Sequence, residues 1–159
     1  MISPTVRASV IRLITDCKEA FTLYHPAADA VLTEEEFRRL CSSAADSLWL
    51  PEGYEKEKIK EGERDSDDIH FSVLYSNEED NYISFSCHRM KKIDYLGVSL
   101  QDSVMEHINE DGISADLYLS TSENVWSRAV WTCEDTDIVY ILSGYLTRDE
   151  LLKMIKSAS

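Results

Sequence analysis

Residues 113–157 constrain the fold of this chain more than any other part. They read as three short strands, at 113–120, 125–133 and 138–142, followed by one helix. Successive side chains of a strand point to opposite faces of the sheet. In the second strand Val125, Ala129, Trp131 and Cys133 share one face, and Trp126, Arg128 and Val130 share the other. A strand with bulk on both faces lies between two layers or covers a concave floor. The chain then turns at Ser143-Gly144 and enters a helix at Thr147. Thr147 and Glu150 have capping-box spacing, which lets each side chain satisfy an orphan backbone donor of the first turn. Leu151, Leu152 and Ile155 form one apolar stripe that must pack back on the sheet.

Upstream, Ser3-Pro4 is a good helix start, with a capping hydroxyl followed by proline at the first helical position. Val6, Val10, Leu13, Ile14, Cys17 and Phe21 recur at helical spacing, and His25-Pro26 stops the run. Thr33 and Glu36 form a second capping-box pair, followed by a stripe of Phe37, Leu40, Cys41, Ala44, Ala45 and Leu48. Two amphipathic helices are therefore expected before residue 50. Leu50-Pro51-Glu52-Gly53-Tyr54 is a turn into extended chain. Residues 55–60 alternate charge around Ile59, the pattern of an edge strand that charge protects against pairing with other molecules. Ile69, Phe71, Val73 and Tyr75 alternate as a strand, residues 77–81 turn, and Ile83, Phe85 and Cys87 return. Residues 91–102 are ambiguous, and a strand at 104–108 turns at 109–112.

Strands grouped in hairpins with helices at the ends indicate α+β architecture. The expectation is a single domain over 1–159, with a helical part at 1–48, a curved antiparallel sheet of about six strands at 50–142, and a closing helix at 147–157. No run approaches the roughly 20 apolar residues that span a bilayer, and no basic-then-apolar leader opens the chain. As written, the chain is expected to be cytoplasmic; as a trimmed piece of an anchored protein it would be extracytoplasmic.

Five segments together resemble a known family: Leu50-Pro51-Glu52-Gly53-Tyr54, Tyr82-Ile83-Ser84-Phe85, Ala129-Val130-Trp131, Tyr140-Ile141-Leu142-Ser143-Gly144, and Glu150-Leu151-Leu152-Lys153-Met154-Ile155 with Ser157. The pattern is similar to an uncharacterised domain of unknown function from Firmicutes. That family is found as the C-terminal, extracytoplasmic part of membrane-anchored, anti-sigma-factor-like proteins. The resemblance covers about residues 33 to 157. It implies a regulatory context and supplies no catalytic residues. The sequence as written departs from the pattern in showing no apolar run of anchor length and in carrying four cysteines.

Candidate chemistry is sparse. Cys17, Cys41, Cys87 and Cys133 have no CxxC spacing, and buried thiols are the better reading. Cys87 and His88 are neighbours on a strand, so they point to opposite faces and form no nucleophile–base pair. His107 with Glu106, Glu110 and Asp111 matches no ligand loop, because a hairpin turn explains that segment. Residues 63–68 are only loosely like a calcium loop and lack its central glycine. The five glycines are scattered singly, so no phosphate-cradling loop exists. No metal and no cofactor is expected.

Charge is more informative. Residues 51–80 hold four basic against eleven acidic residues, half of the net charge of −14. Such a surface repels nucleic-acid phosphate and suits a basic protein partner, or solubility alone. The leading expectation is a non-catalytic protein- or ligand-binding or sensing domain with a regulatory role. Its candidate binding residues are Tyr118, Trp126 and Arg128 on the strands, with Glu63, Asp65, Asp67 and Asp68 in the acidic segment. The alternative is a small acidic inhibitor or immunity protein that binds a basic toxin or a nucleic-acid-binding enzyme. An enzyme is the weakest reading.

Overall fold

Two capping boxes set the helices. The Thr33 hydroxyl accepts the Glu36 amide at 3.2 Å, and the Glu36 carboxylate accepts the Thr33 amide at 2.9 Å. This starts helix α1, Glu34–Ser47. Thr147 and Glu150 repeat the exchange at 3.2 and 2.8 Å and start helix α2, Arg148–Ala158. Both helices open with acidic residues, which favour the positive end of the helix dipole.

The computed structural model describes residues 12–16, 21–24, 32–63, 69–89, 96–99, 103–111, 113–123, 125–132 and 138–158. Among these described residues are ten strands: β1 Arg12–Asp16, β2 Phe21–Tyr24, β3 Glu55–Glu63, β4 Ile69–Ser76, β5 Tyr82–Arg89, β6 Leu96–Ser99, β7 Ser103–Glu110, β8 Ile113–Ser120, β9 Ser127–Thr132 and β10 Ile138–Gly144. Seven of them make one open antiparallel sheet in the order β3-β4-β5-β10-β9-β8-β7. It is built from consecutive hairpins, with β10 inserted between β5 and β9. The other three form a separate small sheet, β1-β2-β6.

That small sheet corrects the expectation of two N-terminal helices. Where the first was expected, the described residues are strands β1 and β2, paired antiparallel with a register shift between Arg12 and Ile14. A short apolar run fits either period, and the β-branched Ile14, Thr15 and Thr22 favour extended backbone. Strand β6 lies in the stretch that read as ambiguous. The main sheet has seven strands where about six were expected. Its last strands begin and end close to their sequence boundaries, although Val125 and Trp126 precede β9, and Cys133 lies outside the described residues, as do Cys17 and His25.

The turns follow residue chemistry. Gly53 has φ +89°, which its lack of a Cβ permits, and Tyr54 N–H donates to the Pro51 carbonyl across the turn. In the β4–β5 hairpin the Asn77 carboxamide oxygen accepts the Glu79 and Asn81 amides, each at 3.0 Å.

The core lies between one face of the large sheet and the two helices. Phe71, Val73, Tyr75, Ile83, Phe85, Leu117, Trp131 and Leu142 meet Phe37, Cys41, Leu151, Met154 and Ile155. A row of rings crosses the centre. Trp131 and Tyr140 stack at 5.4 Å and 15°, and Tyr140 and Phe85 at 5.9 Å and 19°. Tyr75 spans to α1, where its hydroxyl donates to the Ala45 carbonyl at 3.1 Å. Burial and the nearby Asp46 carboxylate push the Tyr75 phenol up to about 12. No described helix is long and apolar enough to cross a membrane.

Candidate functional site

The large sheet buries its second face as well, along β8, β9 and β10. On β8 five consecutive residues, from Ser114 to Tyr118, are buried. Ala115 and Leu117 belong to the helix-facing core, whereas Tyr118, Val130 and Val139 point to the other side and are no more than 2% exposed. The double-sided bulk seen in the sequence of β9 thus marks burial on both faces around Val130 and Trp131. This second face also carries polar groups. Asp116 is 5% exposed, and its carboxylate lies 2.7 Å from His107 Nδ1 on β7. A buried carboxylate needs such a partner, because desolvation disfavours an isolated charge. Ser114, two residues along the same face, has a buried hydroxyl with no hydrogen-bond partner.

At one end of this face the surface becomes accessible. Ser127 of β9 lies opposite Gly144 of β10. That register sets Trp126, just before β9, beside Tyr145, just after β10. Their rings meet edge-on at 6.0 Å and 85°, a favoured aromatic geometry. Tyr145 is 45% exposed, Trp126 is half-buried, and Arg128 is exposed. The loop leading into Trp126 is ordered by serine hydroxyls: Ser127 Oγ accepts the Ser120 amide at 3.0 Å, and Ser120 Oγ accepts the Ser122 amide at 3.1 Å.

The structure separates the candidate residues into three groups. Trp126 and Arg128 share the accessible end. Tyr118 lies directly opposite Arg128 on β8, but its side chain is buried. Glu63 ends β3, and Asp65, Asp67 and Asp68 lie outside the described residues. The acidic segment does have a described feature elsewhere. Glu52, Glu55, Glu57, Glu78 and Glu79, together with Lys56, line an open groove of about 800 Å³ between the Gly53 turn and the β4–β5 hairpin.

Three pairings escaped the sequence reading. Glu106 forms a two-pronged ion pair with Arg148 of α2, at 2.7 and 2.9 Å, which holds its carboxyl below the ordinary range. Nothing local signals a contact across 42 positions. The His107–Asp116 pair was not legible either, since a turn at 109–112 would set His107 opposite Ser114, whereas the observed register places it opposite Asp116. Asp111 reaches Lys156 at 3.3 Å. Glu106 and Asp111, considered beside His107 as metal ligands, are thus engaged with helix cations. Among the described residues no group of three or more histidines, cysteines or acids could hold a metal ion. On β5, Cys87 is buried in the helix-facing core and His88 is half-buried with its Nε2 3.3 Å from Ser86 Oγ. Their separation to opposite faces follows the strand alternation.

A family model described as a domain of unknown function, DUF4367, matches residues 46–157. The chain belongs to the DUF4367 family. Its DUF4367 domain starts in the last turn of α1 and takes in the whole seven-stranded sheet and nearly all of α2. Trp126, Arg128, Tyr145, His107 and Asp116 all lie inside it. No curated protein and no solved structure matches the chain.

Proposed function

We propose that this domain is a non-catalytic protein-binding or sensing module whose contact surface includes Trp126, Tyr145 and Arg128. The observation that carries the reading is the accessible grouping of these three side chains at one end of a rigid sheet. Tryptophan, tyrosine and arginine are the residue types that dominate binding energy at protein interfaces. Tyr118 supports the patch from the buried layer opposite Arg128. The resemblance to C-terminal domains of anti-sigma-factor-like proteins from Firmicutes gives the module a regulatory context. The test uses Trp126→Ala and Arg128→Ala in the full chain. Each should abolish retention of the partner captured from the native host while leaving the melting temperature unchanged. Variants that fold normally and still retain the partner would sink the reading.

A second reading, a small acidic inhibitor of a basic protein, is favoured by the carboxylate-lined groove and by the charge of residues 51–80. Reversing Glu63, Asp65, Asp67 and Asp68 should then slow association at low salt, because exposed charges steer encounters. The difference should fade as screening shortens to about 8 Å at physiological ionic strength. An unchanged association rate at low salt would rule this reading out.

A further inference from the structure

The chain carries 30 acidic residues against 16 lysines and arginines, so a cation without a carboxylate partner stands out. Arg38 pairs with Glu34, Lys56 with Asp46, Arg148 with Glu106 and Lys156 with Asp111. Arg128 differs. Its side chain is exposed, and among the described residues its guanidinium has no hydrogen bond or ion pair. The exposed Glu123, in the loop before Trp126, does not close it.

The register gives the neighbours of Arg128 on its face of the sheet. Directly opposite residues of an antiparallel pair share a face, with Cβ atoms about 5 Å apart. Tyr118 of β8 stands on one side of Arg128. On the other side come Ser143 of β10, Ser84 of β5, Leu74 of β4 and Lys58 of β3. That row holds no carboxylate. In the adjoining row, from His107 through Val130 to Ser72, Asp116 is the one acid, and it is buried against His107. Ser143 supplies a second, independent observation. It is 9% exposed, yet its hydroxyl has no hydrogen-bond partner among the described residues. Leaving such a group unpaired costs free energy that a bound acceptor recovers.

We propose that Arg128 and Ser143 bind a side-chain carboxylate, and that the occupant of this surface is an extended partner segment with aspartate or glutamate two positions from an apolar residue. The inference rests on the contact surface proposed above and names its partner's chemistry. A guanidinium donates two parallel hydrogen bonds to one carboxylate. The Ser143 hydroxyl, directly across from Arg128, can donate a third. Trp126 and Arg128 are two positions apart in the chain, about 7 Å in extended backbone. An extended partner repeats that spacing on one of its own faces. Its apolar side chain then meets the edge-on rings of Trp126 and Tyr145 while its carboxylate meets Arg128. A lysine or arginine at the same place would face an unpaired guanidinium, which opposes a basic segment. The net charge of −14 opposes an acidic segment from a distance. That repulsion is screened beyond about 8 Å at physiological ionic strength, whereas a pair in contact is screened much less.

The probe is a synthetic peptide repeating leucine, serine, glutamate and serine, blocked at both ends, with glutamine or lysine in place of glutamate as controls. Each is titrated into the full chain by calorimetry at physiological ionic strength. The glutamate peptide should bind at least about tenfold more tightly than the glutamine peptide, and the lysine peptide should bind most weakly. Arg128→Gln should remove the difference between glutamate and glutamine, and Arg128→Glu should invert the order in favour of lysine. Ser143→Ala should cut the glutamate preference about fivefold at unchanged melting temperature. Trp126→Ala should weaken all three peptides alike and keep their order. Lys153→Gln, which removes an equal charge from α2 on the other side of the sheet, should change nothing. Equal binding of the glutamate and glutamine peptides, or a glutamate preference that survives in Arg128→Gln, would overturn the proposal. If Trp126→Ala still weakened the peptides, the carboxylate assignment alone would fall and the contact surface would stand. Indifference of every peptide to Trp126→Ala would overturn the surface and its occupant together. No binding of the glutamate peptide would overturn the occupant, and loss of the host partner in Trp126→Ala would then show that the surface itself stands.

Discussion

Replacing Trp131 by alanine tests the centre of the fold. The side chain is 4% exposed and lies on the helix-facing side of β9. Removing a buried tryptophan costs roughly 3–5 kcal/mol through lost transfer free energy and the cavity left behind. Trp131 also meets two rings, Tyr140 at 5.4 Å and Phe85 at 6.2 Å. Each such pair contributes about 0.5–1.5 kcal/mol beyond area burial. The upper part of the range applies, so the expected loss is about 5 kcal/mol. A domain of this kind has about 5–15 kcal/mol in total, and the variant should be marginal. With a urea slope of about 2 kcal/mol/M, the midpoint should fall by about 2–3 M at unchanged slope. Trp131→Phe keeps one ring against Tyr140 and should lose only about 1–2 kcal/mol. Urea unfolding followed by circular dichroism measures both, since each substitution removes one of the chain's three tryptophan fluorophores. A midpoint for Trp131→Ala equal to wild type would refute the stacked-ring account of the core.

Three further outcomes follow from the same packing and ion pairs. Leu151→Ala, at a fully buried position on α2, should destabilise by about 2–5 kcal/mol, read as a lower denaturation midpoint. The Glu106 carboxyl is held below its ordinary range by Arg148, so its contribution is present above the unfolded-state pKa and is lost as pH falls through the folded one. Wild type should therefore lose more stability than Glu106→Gln between neutral pH and acid below the ordinary carboxylate range; parallel melting curves would disprove the pair. The Tyr75 phenol is raised to about 12, so its contribution is intact below the ordinary tyrosine value and is lost as pH climbs towards 12. Tyr75→Phe should remove that alkaline loss, and an equal decline in both proteins would show that other groups cause it.

The local devices of the fold were legible. Both capping boxes form at the residues their spacing marked, and both helices bury most of the stripes read from the sequence, with Leu40 and Leu152 only partly buried. The hairpin turn at 77–81 and the two-residue alternation of β4 and β5 also stand, because they depend only on neighbouring residues, whereas β7 runs on through Asn109 and Glu110, where the sequence marks a turn. The double-sided bulk of β9 announced burial on both faces, which holds at Val130 but not at the exposed Arg128. The first segment was misread because a short apolar run fits either period, and the pairing of β1 with β2 and of β2 with distant β6 decides for strand.

The candidate site divides in the same way. Trp126 and Arg128 could be named from alternation along one strand. Tyr145 joined them only when β10 came to lie beside β9, so that the two chain ends flanking Ser127 and Gly144 met. Tyr118 has a surface-compatible side chain, and its burial depends on what covers the second face. Glu106 found Arg148 across the sheet and helix layers. Sequence by itself determined periodicity, caps and turns, since these arise from backbone geometry within a few residues. Tertiary structure alone decided strand order, which face is covered, which strands end the sheet and which charges pair. Those contacts join segments far apart in the chain, and their energies depend on burial that no local pattern encodes.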